Sequence, residues 1–398
     1  MRLLHTSDWH LGRAFHGGPL QREQEAVIDQ LVDMAGADAV DVVIVAGDIF
    51  DRAIPPLEAV QLFDDAVGRL RGTGARVVAI SGNHDSPRRV AVHDRLLAHA
   101  GVTIRGDAAR CDEAVMIEAT DGGGPVAVYA VPYLDPSTAA AVLAEPPAGD
   151  EIDEPAPRRR LSHDAVTRLA TARIRVDRAA RPGGRTVVVA HTFVAGGASS
   201  ESERDLTIGT VEMVGLDAFD GFDYVALGHL HGPQAFADGR IAYSGSPLPY
   251  SFSEQSHHKS ARLVELSADG SVGVELRPLD VGMRLATITG DIDVLLADPS
   301  LGGAETARVR AVLTDIQLPV QAMARLRSRF PLAVELRHAP TGGHDSAPAG
   351  PSGATGRDVP PLELATRFWS ETHPTGATVG EEALLAEALA AASRTEEQ

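Results

Sequence analysis

This chain predicts an α/β fold in which helices cover a largely parallel sheet, and two observations predict it. Short apolar runs alternate with stretches of helical spacing through residues 1–100, the pattern of buried strands wrapped by helices. Five apolar runs also lead into clusters of Asp, Asn and His. Leu3-Leu4 precedes Asp8 and His10 in SDWH, Val42–Val45 precedes Asp48 in GDIFD, and Val77–Ile80 precedes Asn83 and His84 in GNHD. Val187–Val189 precedes His191 in AHT, and Tyr224–Leu227 precedes His229 and His231 in GHLH. Loops leaving the carboxyl ends of strands in an open α/β sheet share one crevice. Five strand ends delivering such side chains to one crevice point to a dinuclear metal site.

In chain order, Arg2–Thr6 is the first strand, and Gln21–Ala35 is a helix with Val27, Ile28, Leu31, Val32 and Ala35 on one face. Val42–Ala46 is the second strand. Pro55-Pro56 opens a second helix, where proline suits the first turn, and Leu57, Val60, Leu62, Phe63, Val67 and Leu70 form its apolar face. Arg76–Ile80 is the third strand, followed by a third helix over 87–100. Shorter strands near 113–118 and 125–131 extend the sheet.

Residues 135–185 read as an insertion. Glu145, Asp150, Glu151, Asp153 and Glu154 precede Arg158-Arg159-Arg160, as either a solvated loop or a track for DNA. Ser162 then caps a helix running to about Ala180. The sheet resumes at Thr186–Ala190 and Phe222–Leu227, and the small polar run 196–204 between them is expected to lie as a lip over the site. Strands at 241–244, 261–266 and 273–278 are expected to form a second, more antiparallel sheet, with a turn at Ala268-Asp269-Gly270.

From Met283 the pattern restarts as strand, helix, strand, helix, strand over 285–336, a small α+β module. Residues 341–360 are a Gly/Ala/Pro/Ser linker. The tail, 361–398, holds two helical candidates, 361–371 and 380–393. Leu362, Ala365, Phe368 and Trp369 form an apolar stripe there that needs a surface to cover it.

A chain of 398 residues can hold one large core and a smaller module. Hydrophobic residues make up 44% and mean hydropathy is −0.05, and no run reaches the length of a membrane span, so no membrane role is expected. The single Cys111 excludes an intramolecular disulfide framework and fits a reducing cytoplasm. Of 36 basic residues only Lys259 is a lysine, which reads as a codon bias toward arginine. The net charge of −19 lacks the basic footprint usual in DNA-binding proteins. Two divalent ions would return about four positive charges to the crevice.

The succession DxH, GDxxD, GNHD, an isolated His and GHxH resembles the calcineurin-like metallophosphoesterases. SDWHLGR at Ser7–Arg13, GDIFDRA at Gly47–Ala53 and YSGSPLPYSFSE at Tyr243–Glu254 resemble, more narrowly, the DNA nuclease subunits of bacterial double-strand-break repair. The likeness is strong over residues 1–280 and looser over 281–340. It implies a two-sheet sandwich flanked by helices for 1–280, an α+β capping domain for 281–340, and docking of a coiled-coil ATPase of the SMC-like class on the tail. It also implies a homodimer, for which the third helix with Val92, Leu96 and Leu97 is a candidate surface. DNA ends and hairpins would be the substrates, cut by 3′→5′ exonuclease and by endonuclease action, in the cytoplasm at the nucleoid.

Phosphodiester hydrolysis needs a hydroxide nucleophile, neutralisation of phosphate charge and protonation of the leaving oxygen. Two metal ions about 3.5–4 Å apart supply the first two. By the resemblance one ion takes Asp8, His10, Asp48 and His231, and the other takes Asp48, Asn83, His191 and His229, with Asp48 bridging. The mixed oxygen and imidazole set suits Mn²⁺, Fe²⁺ or Zn²⁺, and the resemblance favours Mn²⁺. His84 is expected to assist departure of the leaving group, with Asp85 orienting its ring.

Other residues keep two readings each. Asp51 either orients the site or shapes a turn, and Trp9 either packs in the core or stacks on a base. Arg13, Arg88 and Arg89 are either solvated or in contact with phosphates. His5 reads as an ordinary core histidine, and His257-His258 as a loop pair. The competing function is a phosphodiesterase or phosphatase of small substrates in the same superfamily.

Overall fold

The structure is a computed structural model that describes residues 1–119, 121–143, 161–181, 184–203, 213–340 and 378–395, with positions 362, 365, 366 and 369. Its elements in order are β1 (Arg2–Thr6), β2 (Ala14–Phe15), β3 (Gly18–Pro19), α1 (Gln21–Ala37), β4 (Val42–Val45), α2 (Leu57–Gly72), β5 (Arg76–Ile80), α3 (Pro87–Val90), α4 (Asp94–His99) and β6 (Val102–Arg105). Then come β7 (Val115–Ile117), β8 (Val126–Ala130), α5 (Pro136–Leu143), α6 (His163–Ala179), β9 (Arg185–His191), β10 (Tyr224–Gly228), β11 (Gln234–Phe236) and β12 (Ile241–Tyr243). The rest are β13 (Ser260–Leu266), β14 (Val272–Pro278), β15 (Leu285–Gly290), α7 (Ile292–Ala297), β16 (Arg308–Leu313), α8 (Ala322–Arg329), β17 (Ala333–His338) and α9 (Val379–Thr395).

Two six-stranded sheets dominate, one ordered β14-β13-β1-β4-β5-β6 and the other β11-β12-β10-β9-β8-β7. β1, β4, β5 and β6 run parallel, as do β8, β9, β10 and β12. The period-2 alternation of each strand separates three apolar layers. Leu3, Val42, Ile44, Val78 and Ile80 face Val128, Val187, Val189 and Ala226 between the sheets. Leu4, Val43, Val45 and Val77 pack with Val27, Ile28, Leu31 and Leu62 of α1 and α2. On the far side, Tyr129, Val188 and Val225 pack with Val166, Ala170 and Ile174 of α6. Strands buried on both faces explain why their sequences are continuous apolar runs.

Several elements differ from expectation. The third helix is broken into α3 and α4, because the buried Asp94 carboxylate accepts from the Ile104 amide at 3.0 Å and from Arg105 and Arg110. β6, α5 and the β2–β3 hairpin were not expected. The strands read as a separate antiparallel sheet are divided. β12 joins the second sheet parallel to β10, while β13 and β14 extend the first, β13 antiparallel to β1 and β14 antiparallel to β13. The β7–β8 pair belongs to the second sheet and not to the first. The connection from β12 to β13, residues 244–259, therefore crosses between the sheets, and it carries most of the YSGSPLPYSFSE segment.

The chain divides into two compact units, one of Met1–Ile288, Asp298–Ala311 and Met323–Leu336, the other of Thr289–Ala297, Val312–Ala322 and Arg337–Gln398. The expected strand–helix order after 283 is found, with β15, β16 and β17 in one sheet and β16 central. In the second unit the Asp315 carboxylate caps Ile292 at 2.9 Å, and α9 begins on a capping box of Thr378 with Glu381. The 145–160 charge runs and the 341–360 linker lie outside the described residues. No helix among the described residues is long and apolar enough to cross a membrane.

Candidate metal centre

The parallel strands bring their carboxyl ends together. Asp8 and His10 follow β1, Asp48 follows β4, and Asn83 and His84 follow β5, all from the first sheet. His191 ends β9, and His229 and His231 follow β10, from the second. The first two loops are laced together by main-chain bonds, Asp8 N to Gly47 O and His10 N to Asp48 O, both 3.0 Å. Gln24 of α1 clamps the first loop, donating to the His10 carbonyl at 2.8 Å and accepting from the Gly12 amide.

Glycine precedes three of the clusters because nothing larger fits. A Cβ on Gly47 would lie 2.3 Å from His191 Nδ1, on Gly82 2.1 Å from Asp48 Oδ1, and on Gly228 1.8 Å from the Ala46 carbonyl oxygen. Asp8, His10, Asp48 and His229 all have positive φ, from 44° to 110°. Such conformations persist in non-glycine residues only where the surroundings enforce them, and they gather at functional sites.

Asp8, His10, Asp48, His191, His229 and His231 are buried. Ligand atoms of Asp8, His10 and His231 lie within 4.8 Å of one another, as do those of Asp8, Asp48 and His191, and of His10, Asp48 and His84. His191 Nε2 sits 2.8 Å from Asn83 Oδ1 and 3.6 Å from Asp48 Oδ2, its Nδ1 donating to the Ala46 carbonyl. The Asp8 carboxylate accepts from the His229 amide at 3.0 Å. Five of the seven residues expected to hold metal, Asp8, His10, Asp48, His191 and His231, thus fall in these groups, with Asp8, His10 and Asp48 each in two of the three, while Asn83 adjoins through His191 and the His229 ring lies edge-on to His191 at 5.4 Å.

This donor set fits divalent cations. Burial, and then the neighbouring Asp48 carboxylate, push Asp8 well above the usual carboxylate range. Burial drives His10 and His229 far below the usual imidazole value and His191 down to about 4. Neutral rings offer lone pairs. His10 Nε2 and His231 Nε2 face each other at 3.1 Å, and among the described residues His10 Nδ1 has no hydrogen-bond partner. A cation would satisfy two lone pairs that a single shared proton serves poorly.

His84 donates its main-chain amide to Asp48 Oδ1 at 2.8 Å, and its Nε2 is 3.9 Å from Asp48 Oδ2, on the metal side. The expectation that Asp85 orients this ring is corrected. His84 Nδ1 bonds the Asp51 carbonyl at 2.8 Å, whereas the Asp85 carboxylate accepts the amides of Ile49, Phe50 and Gly82 at 2.9–3.0 Å. Asp85 ties the second and third loops together, and its pKa is raised to about 7 by burial and then by Asp48.

Among the residues weighed for DNA contact, Trp9 is corrected. It is 1% exposed, donates to Thr6 Oγ1 at 3.0 Å and packs edge-on against Phe63, so it cannot stack on a base. Arg13 is partly buried, 3.4 Å from Asp51, donating to the Ser202 carbonyl and lying 4.9 Å over the Tyr250 ring. Arg88 and Arg89 are exposed. Arg88 lines a cleft of about 770 Å³ beside the GNHD loop, with Arg95, Arg110 and Tyr133. His5 is an ordinary core histidine, bonded to Tyr224 Oη and the Leu227 carbonyl.

Sequence reasoning missed the surroundings of His231. Its Nδ1 lies 2.7 Å from Ser202 Oγ and 3.3 Å from Glu254 Oε1, and its amide donates to Glu203 at 2.6 Å. Residues 202 and 203 of the run 196–204 thus bond His231, and Arg204 lies outside the described residues. Burial pushes Glu203 up to about 7. Tyr250 packs edge-on against His10 and His231. Two signals were available: the Glu of YSGSPLPYSFSE and the solitary lysine.

A family profile described as calcineurin-like phosphoesterase matches residues 1–233. Among solved structures the chain is similar to TT1561 of Thermus thermophilus, at 14% identity and TM-score 0.37, covering 69% of this chain and 98% of that one. It is also similar to a dimetal phosphatase from Danio rerio, at 13% identity and TM-score 0.39, covering 70% of this chain and 96% of that one.

Proposed function

Because the chain belongs to the calcineurin-like phosphoesterase family, whose members hydrolyse phosphoesters with divalent metals, we propose that it is a DNA nuclease subunit of the SbcD type. It would cut DNA ends and hairpins in concert with SbcC, an SMC-like coiled-coil ATPase. The observation that carries this reading is the meeting of three segments around His10 and His231. SDWHLGR supplies Asp8, His10 and Arg13, GDIFDRA supplies Asp48 and Asp51, and YSGSPLPYSFSE supplies Tyr250 and Glu254. The three-stranded module, the tail after residue 340, and the exposed Ile54, Leu57, Val92 and Leu96 for a homodimer add support.

Two divalent ions, Mn²⁺ by preference, would be held by Asp8, His10, Asp48 and His231 and by Asp48, Asn83, His191 and His229, supplying Lewis acidity and a nucleophile at neutral pH. The protein's residues do the rest. His84, with Nδ1 fixed on the Asp51 carbonyl, turns Nε2 toward the pocket, where its protonated form gives a proton to the leaving oxygen. The laced loops fix the donor geometry before substrate arrives.

End-labelled hairpin DNA incubated with the protein and Mn²⁺, with and without the ATPase and ATP, tests the reading. Product ladders abolished by Asp48→Ala support it. Hydrolysis of bis-p-nitrophenyl phosphate with no cutting of any DNA would overturn it in favour of a small-substrate phosphodiesterase.

A further inference from the structure

Bonded to the main-chain carbonyl of His231 lies the only lysine of the chain. Lys259 is 8% exposed, and its three N–H donors meet three acceptors: the His231 carbonyl at 2.9 Å, Ser246 Oγ at 2.8 Å and Glu254 Oε2. The other oxygen of Glu254, which is 1% exposed, receives the Ser202 hydroxyl and faces His231 Nδ1. Two buried charges are costly unless every donor and acceptor is met, and here they are met.

Elsewhere every basic side chain except the histidines is arginine. At this position a guanidinium would bring five donors in a rigid fork to three convergent acceptors, leaving N–H groups buried and unpaired. A compact ammonium is the side chain whose donor count matches. The bias toward arginine therefore stops where geometry demands an amine.

Resting on the metal-centre reading above, we propose that Lys259 and Glu254 are positioning residues of that centre. The ammonium acts on the centre by fixing the Glu254 carboxylate. Glu254, with Ser202, holds the proton of His231 on Nδ1 and turns the Nε2 lone pair to the metal side. A ligand histidine whose far nitrogen donates to a carboxylate is fixed in tautomer and strengthened as a base, and loss of that carboxylate costs about 10–100-fold in metal affinity.

Calorimetric titration of Mn²⁺ into the metal-stripped full-length protein tests this. Wild type is expected to take up two ions. Glu254→Gln, which preserves volume, should weaken one of them by about 10–100-fold and leave the other unchanged. Lys259→Met should do the same, and adding it to Glu254→Gln should cost little more, because the lysine acts through the glutamate. If Lys259→Met does not fold, Glu254→Gln alone decides. Wild-type affinity for both ions in Glu254→Gln, or fully additive losses in the double variant, would overturn the assignment while the metal-centre reading stands. A wild-type protein that binds no pair of ions sinks that reading and this one together.

Discussion

At the scale of single residues, His84 and His5 separate chemistry from architecture. His84 faces the metal side through Nε2 yet stands outside the donor set expected to hold the ions. His84→Ala should therefore retain two bound Mn²⁺ and lose turnover by about 10²–10⁴-fold, read from metal content alongside hairpin cleavage. Parallel loss of metal would remove it from that role. His5 is buried between Tyr224 and Leu227, and burial, followed by the Arg262 charge, lowers its pKa to about 3. In the unfolded chain it takes a proton near 6.5, so acidification favours unfolding between those values. Stability should fall by up to about 1.4 kcal/mol per pH unit from this group over that window. His5→Gln should flatten that slope in urea unfolding of the metal-free protein from about pH 7 to 4.

At the scale of elements, the site depends on how closely the strand ends of the two sheets approach. Gly228, beside His191 across the β9–β10 register, has no room for a side chain because the carbonyl after β4 occupies it. Gly228→Ala should cost about 4 kcal/mol or more in urea unfolding and abolish Mn²⁺ uptake. Gly47, Gly82 and Gly228 stood in the sequence as parts of GD, GN and GH, and their motifs were legible while their reason was not. The same holds for strands and helices. β1, β5 and the Ser162-capped α6 were readable from apolar runs and a cap, since local signals specify them. The break between α3 and α4 was not, because Asp94 is drawn inward by Arg105 and Arg110, contacts that only the fold creates. Nor was the division of the last strands between two sheets. Periodicity identifies a strand but not its neighbour. The donor residues were legible because each closes a short motif, whereas Glu254 and Lys259 act on His231 from a connection whose course depends on both sheets.

At the scale of the molecule, bound metal would tie the two sheets to each other, since Asp8, His10, Asp48 and Asn83 hang from one and His191, His229 and His231 from the other. Ligands that bind only the native state stabilise it by mass action. Mn²⁺ at about a hundred times its dissociation constant should add about 2.7 kcal/mol per bound ion, visible as a rise in melting temperature that EDTA reverses and Asp48→Asn lacks. On the proposed nuclease reading, two bound divalent ions would supply local attraction for phosphate that a chain of net charge −19 otherwise lacks, so DNA binding by the isolated protein should track metal occupancy. The lone lysine has an experimental use as well. A protease that cleaves only after lysine finds a single target in 398 residues, and in the native protein that target is closed off. The appearance of two fragments would therefore clock the opening of this one region, and any additive that keeps it shut would slow the clock.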